Sequence, residues 1–128
     1  LLLEQDRPEA AYPLFGDAVA GSELLIASAP QDDSLRVGLI ELIAWQAEAA
    51  ERSGGLGTAL ALRQRQIALA AARMAGPRSD MEFLRQRAFG LSRLASLHLM
   101  QGKVAEAERH FQRALDDHRV LARIEANN

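Results

Sequence analysis

The chain has 128 residues, with 15 lysines and arginines against 17 aspartates and glutamates, and it contains no cysteine. The missing cysteine excludes disulfide frameworks, thiolate zinc sites and cysteine nucleophiles, and the net charge of -2 disfavours nucleic acid as a partner. Alanine and leucine dominate the apolar residues while aromatic and β-branched residues are scarce, a composition that predicts an all-α protein.

The first residues, Leu1-Leu2-Leu3, lack both the basic start of a signal peptide and an initiator methionine. No later run approaches the roughly 20 apolar residues of a membrane span. We therefore expect residues 1–128 to form a single helical domain of a longer cytoplasmic protein, without contact to a membrane.

The turn chemistry predicts five helices. Asp6, Pro8 and Glu9 mark the start of the first, which runs over 8–29 and which Pro13 could break. The second and third occupy 34–75, capped by Asp33 or Ser34 and by Thr58. The fourth and fifth occupy 80–126.

Two glycine turns and a capping box set the remaining boundaries. The second helix is predicted to end at 53–55, the third at Gly76-Pro77, and Ser79 to Glu82 has the spacing of a capping box that opens the fourth. Gly102-Lys103 is the short connection to the fifth helix, which begins at Val104. Short connections predict antiparallel neighbours.

A segment of the fifth helix is echoed twice earlier in the chain, in step with the predicted helices. Ala107, Phe111, Ala114 and Leu115 correspond to Ala11, Phe15, Ala18 and Val19, and less closely to Ala61, Arg65, Ala68 and Leu69. Self-similarity at this kind of period is typical of helical repeat proteins.

Leu91, Leu94 and Ala95, the Gly102 turn, and then Ala107, Phe111 and Ala114 resemble the tetratricopeptide repeat pattern. The resemblance covers 88–118 well, 39–75 partly, and a single helix over 8–29. It implies a short right-handed α-solenoid of stacked antiparallel hairpins, with Phe15 and Phe111 filling the gaps between hairpins.

Three features depart from that pattern. His98 stands where an aromatic residue is usual, no proline closes the repeat after Leu115, and the period exceeds the family's roughly 34 residues. We therefore expect lengthened helices of the kind found in repeats attached to bacterial signalling proteins.

The resemblance also implies a function, in which residues of the first helix of a hairpin line a concave groove for a peptide or helix of a partner protein. The corresponding residues here are Phe89, Ser92, Arg93, Ser96, Leu99 and Met100. They would form an apolar rim around a small polar floor with one cation, suited to an amphipathic segment.

Two alternatives stay open. The chain could associate with a second copy, through the last helix or through the end of the stack formed by Leu14, Phe15, Leu24, Leu25 and Ile26. It could instead be a regulatory domain that senses a small molecule beside Trp45, although a tryptophan is more often a core residue.

No residue pattern predicts an enzyme, a cofactor or a metal site. His98, His110 and His118 are spaced too widely along their helices to predict a shared metal, so we expect His98 and His118 to be partly buried and His110 to face solvent. The Arg63-Gln64-Arg65-Gln66 cluster is expected on a solvated helix face, as are Asp116 and Asp117.

Overall fold

A computed structural model describes residues 8–73 and 77–127, with side chains over 13–73 and 81–127. Five helices and no strand occur in these residues, which confirms the all-α class. The helices are α1 (Pro8–Ser28), α2 (Asp33–Arg52), α3 (Leu56–Ala71), α4 (Pro77–Met100) and α5 (Val104–Ala126). Across the described ranges no helix is long and apolar enough to cross a membrane.

The predicted start and end of α3 and the predicted start of α4 differ from the structure. α3 begins at Leu56, so Thr58 lies inside it and does not cap it, and the same helix ends at Ala71, before Gly76. α4 begins at Pro77, which places Ser79 inside the first turn. Proline suits a first helical position because the N–H that it lacks would have no partner there. α1 continues through Pro13 without a break.

The start of α2 is fixed by a side chain one residue earlier than predicted. The Asp32 carboxylate accepts hydrogen bonds from the backbone N–H groups of Ser34 and Leu35, at 3.0 and 3.3 Å. It also accepts one from the Ser34 hydroxyl, and this bond is the main cause that lowers the pKa of Asp32. Asp32, and not Asp33 or Ser34, is therefore the cap.

Two glycine turns end α2 and α4 in the same way. Gly54 and Gly102 have φ angles of 81° and 77°, in the left-handed region that glycine tolerates best. After α4, Gly102 N–H donates to the Leu99 carbonyl and Lys103 N–H to the His98 carbonyl. These two bonds satisfy the last carbonyls of the helix in a Schellman motif.

The chain forms two compact units, one ending at Leu62 and the other beginning at Arg63, inside α3. In the first unit α1 packs against α2, with Leu39, Ile40 and Ile43 in the core. In the second unit α4 packs against α5. Its core comes largely from α4 and includes Phe83, Leu84, Ala88, Leu91, Leu94, Ala95 and Leu97.

The buried face of α5 differs from the predicted one. Ala107, Ala114, Asp117 and Leu121 are buried, whereas Phe111 and Leu115 each leave 42% of their surface exposed. Phe111 was predicted to fill a gap between hairpins, and that prediction is wrong. The two alanines bring α5 close to α4 along one line, and Phe111 falls outside it, about 40° round the helix from Ala107 on the side away from Asp117.

The echoed alanines of α3 are not buried like their counterparts Ala107 and Ala114 in α5. Ala61, Arg65 and Ala68 are exposed, while Ala59, Arg63, Gln66 and Ala70 are buried. The buried positions recur at helical spacing, so α3 does have an inward face. Two polar residues, Arg63 and Gln66, occupy its middle, so apolar spacing alone does not reveal this face.

Candidate protein-binding surface on the fourth helix

The six predicted groove residues lie on one face of α4, because their spacing returns to the same side at each turn. Phe89, Leu99 and Met100 leave 51%, 52% and 77% of their surface exposed. Ser92, Arg93 and Ser96 between them are half-buried, and the Ser96 hydroxyl donates to the Ser92 carbonyl at 3.1 Å. We call these six residues the α4 face. Apolar side chains thus stand at both of its ends around a polar centre.

A buried arginine contacts the ring of Phe89. The guanidinium carbon of Arg63 lies 5.3 Å from the centre of the Phe89 ring, within the range of a cation–π contact. Arg63 itself is only 1% exposed and donates a hydrogen bond of 3.0 Å to the side-chain carbonyl of Gln66. Placing Arg63 on a solvated face was therefore wrong. It supports an exposed aromatic ring from inside the second unit.

Gln66 connects this arginine to α4. Its side-chain amide donates to the backbone carbonyl of Gln86 at 3.1 Å and to the Gln86 side chain at 3.2 Å. Gln66 is fully buried, so these bonds replace the water that it loses. Phe89, Arg63, Gln66 and Gln86 form one chain of contacts that fixes α3 against α4 within the second unit.

Gly90 permits the close approach that this chain of contacts requires. A methyl group at Gly90 would lie 3.0 Å from a side-chain carbon of Ile67 and 3.2 Å from the side-chain carbonyl carbon of Gln66. Such distances are shorter than ordinary contacts, so a larger residue would push these side chains away. The glycine lies next to Phe89, and the support for that ring therefore depends on it.

The opposite side of α4 is joined to α5 by a charged pair. Arg87 donates two hydrogen bonds to Asp117, from Nε at 2.8 Å and from Nη2 at 2.7 Å. The Asp117 carboxylate raises the pKa of Arg87 above its usual value, mainly through these bonds. Asp117 was predicted to face solvent but is buried. The arginine it binds compensates the loss of hydration.

A second polar contact joins the helices near the Gly102 turn. The rings of His98 and His110 stack with centres 5.2 Å apart, and His98 Nδ1 lies 3.3 Å from a carboxylate oxygen of Glu106. His98 is buried as predicted, but His110 is half-buried and His118 exposed, the reverse of the prediction for both. The described residues contain no group of three or more side chains arranged to hold a metal ion.

Trp45, the residue on which the small-molecule alternative rests, lies at the surface. Trp45 is 42% exposed, so its expected place in the core is wrong, and its ring stacks on Phe15 at 6.5 Å. A cleft of about 310 Å³ occurs in the second unit. It is open to solvent and is lined by Arg87, Leu91, Arg113, Asp116 and Asp117.

The residues predicted for self-association in α1 divide into two groups. Leu14, Leu24 and Leu25 are exposed and Ile26 is half-buried. Phe15 is buried against Trp45 and therefore does not belong to an open surface. Association through this helix stays a prediction.

Sequence reasoning found the exposed side chains of the α4 face but missed the residues that support them. The signal was present, since Arg63 and Gln66 continue a helical spacing set by Ala59 and Ala70, and Asp117 continues one set by Ala107 and Ala114. A polar residue in an otherwise apolar register indicates a buried polar contact.

No protein-family model matches this chain, and neither the curated proteins nor the solved structures include one with significant similarity to it.

Proposed function

We propose that this chain is a non-catalytic interaction module, built from tetratricopeptide-like hairpins, that binds an amphipathic helix or peptide of a partner protein on the α4 face. The α4–α5 hairpin supports the proposal, because Leu91, Leu94, Ala95, Ala107 and Ala114 of the repeat-like pattern are all buried in it. The proposal includes no cofactor and no metal.

The exposure of Phe89 over a buried support is the observation that carries the proposal. A half-exposed phenylalanine contributes less to a protein's own stability than a buried one, and exposed apolar patches often mark binding sites. Arg63 limits the motion of the ring, so a partner would find an anchor that is already in place. Less conformational entropy is then lost on binding.

The shape of the α4 face indicates the kind of partner. Phe89 and Met100 are separated by three turns, about 16 Å along the helix axis. A partner helix with apolar residues at positions i, i+4, i+7 and i+11 would place one near each end of the face. Its polar residues would meet the serines in the middle.

The test is selection of binding peptides from a random display library, followed by affinity measurement against variants. We expect the selected peptides to carry amphipathic helical patterns, and Phe89→Ala to weaken their binding at least about tenfold. Leu99→Ala should weaken it as well. The matched control is Leu25→Ala, which removes an equally exposed leucine from α1 and should leave affinity unchanged.

The proposal fails if no peptide is enriched, or if the enriched peptides bind Phe89→Ala and Leu99→Ala as tightly as the unmodified chain. Circular dichroism of each variant establishes that it is folded. Leu99 lies nearly three turns along α4 from Phe89, so its variant stays informative even if Phe89→Ala loosens α4 around Arg63.

A further inference from the structure

A second stripe of exposed residues runs along α5, and four of its six members are apolar. It consists of Val104, Glu108, Phe111, Leu115, His118 and Ala122, all of which are exposed. Successive members are four, three, four, three and four residues apart, the spacing of a coiled-coil seam. The stripe is separate from the buried line of Ala107, Ala114 and Leu121 that faces α4. We call it the α5 stripe.

The α5 stripe is symmetric about residue 113. Phe111 and Leu115 lie two residues to either side, Glu108 and His118 five, and Val104 and Ala122 nine. If two α5 helices paired antiparallel about a twofold axis that crosses the stripe midway between Phe111 and Leu115, each member would face its counterpart on the other helix. The two large apolar side chains would then meet at the centre, and an acceptor would meet a donor further out.

We propose that the α5 stripe is a self-association surface on which a second copy of this chain docks in antiparallel orientation. A twofold contact uses the same patch on both copies, so the patch must complement itself. Here Phe111 would pack on the partner's Leu115, and the Glu108 carboxylate would accept a hydrogen bond from the imidazole N–H of the partner's His118.

The charges select this orientation over the parallel one. In a parallel pair each Glu108 would face the same carboxylate of the other copy, and like charges opposite each other are unfavourable. The antiparallel pair replaces the repulsion between the two Glu108 carboxylates by two hydrogen bonds between Glu108 and His118 of opposite copies. This inference is independent of the proposed function, because it concerns a different helix from the α4 face.

The contact is small, which predicts a weak and concentration-dependent dimer. The stripe extends over about 27 Å of helix, near three heptads, and presents two large apolar side chains and one valine per copy. Sedimentation velocity over a wide concentration range should therefore show a reversible monomer–dimer equilibrium.

The first variant removes the apolar centre. Phe111→Ser with Leu115→Ser should make the chain monomeric at every concentration, and both positions are exposed, so the helix should stay folded. The matched control is Leu24→Ser with Leu25→Ser, which removes two exposed leucines from α1 and should leave the dimer unchanged.

The second set of variants tests the orientation. Glu108→Arg should weaken the dimer about tenfold, because it changes both symmetric pairs. Adding His118→Glu to the same chain places the new carboxylate opposite the new guanidinium of the other copy. This second change should restore most of the lost dimer affinity. Since the chain has no cysteine, a mixture of Phe111→Cys and Leu115→Cys proteins should form intermolecular disulfides faster than either protein alone.

Three results would overturn the proposal. The unmodified chain could sediment as a monomer at all concentrations, the dimer could survive loss of Phe111 and Leu115, or the double charge variant could be as weak as Glu108→Arg. Peptide binding to the α4 face can be measured on the monomeric variant, so failure of one proposal is distinguishable from failure of the other.

Discussion

Asp117 can occupy a packed position between α4 and α5 because Arg87 binds its carboxylate. Asp117 lies in the line of α5 that faces α4, between Ala114 and Leu121, where an unpaired carboxylate would be costly. The two hydrogen bonds from Arg87 make this position tolerable and also fix the distance between the helices. These two bonds therefore contribute more to the free energy of unfolding than the exposed ion pairs on the same helices do.

Asp117→Ala tests this difference. It removes two charge-assisted hydrogen bonds and leaves the half-buried guanidinium unpaired, so we expect the free energy of unfolding to fall by about 2–3 kcal/mol. Asp116→Ala removes the neighbouring carboxylate, 3.8 Å from Arg119 and largely exposed, and should cost less than about 0.5 kcal/mol. Equal losses in urea unfolding would contradict the assignment.

The stacked histidines predict a pH dependence of stability. The pKa of His110 lies below its usual 6.5, first because burial disfavours the imidazolium, and then because His98, Arg113 and Arg109 are near, while Glu106 acts in the opposite direction. The unfolded chain therefore binds a proton more readily at this residue than the folded chain does. The contribution of neutral His110 to the free energy of unfolding is therefore fully present above about pH 6.5, and it is lost as pH falls through the lowered pKa.

We expect His110→Gln to reduce this acid destabilisation. Urea midpoints measured from pH 8.5 down to pH 5 should fall less steeply below about pH 6.5 for the variant than for the unmodified chain. Between pH 7.5 and 8.5, where His110 is almost entirely neutral in both the folded and the unfolded state, the two slopes should agree and serve as the control. Parallel curves throughout would show that another group is responsible.

Among the elements, α4 is the one that organises the second unit. Leu84, Ala88 and Leu91 lie on the side of Arg87, which binds α5, while Gly90 lies against Gln66 and Ile67 of α3. Only part of its surface, including the α4 face, reaches solvent. A helix buried on two sides carries a broad band of apolar and small residues instead of a single stripe.

Gly90→Ala should destabilise the chain by about 1–3 kcal/mol, because the added methyl group forces Ile67 and Gln66 to move. Gly21→Ala is the matched control within a helix. Its methyl group would meet nothing within 4 Å, and alanine favours the helix, so we expect a gain of about 0.5–1 kcal/mol. Thermal unfolding should show a lowered midpoint for Gly90→Ala and a raised midpoint for Gly21→Ala. Shifts of the same sign would contradict the close approach at Gly90.

On the scale of the whole chain, packing joins helices that are neighbours in the sequence. α1 contacts α2 and α4 contacts α5 across short turns, so little loop entropy is lost before the contacts form. Proteins rich in such local contacts fold quickly. The chain's only tryptophan, Trp45, stacks on Phe15 and reports formation of the α1–α2 pair.

We expect the main refolding phase detected by Trp45 fluorescence to finish within about 10 ms of dilution from urea. Phe15→Leu removes the stacked ring and should alter the amplitude of this phase, which assigns it to the α1–α2 contact. A main phase lasting seconds would show that distant contacts limit folding.

The sequence by itself determined the features that depend on local chemistry. The all-α class follows from composition, and the number of helices and the turns at Gly54 and Gly102 follow from residues that act on their immediate neighbours. The exposed side chains of the α4 face were also found, because helical spacing alone places them on one side.

Only the tertiary structure decided which residues face inward and what they contact. Phe111 is exposed while Arg63 and Asp117 are buried, and hydropathy alone predicts the opposite in each case. Burial depends on how closely a neighbouring helix approaches and on whether it supplies a partner for a polar group. The Phe89 ring is such a neighbour for Arg63 and Arg87 is such a partner for Asp117, and both are distant in sequence from the groups they contact.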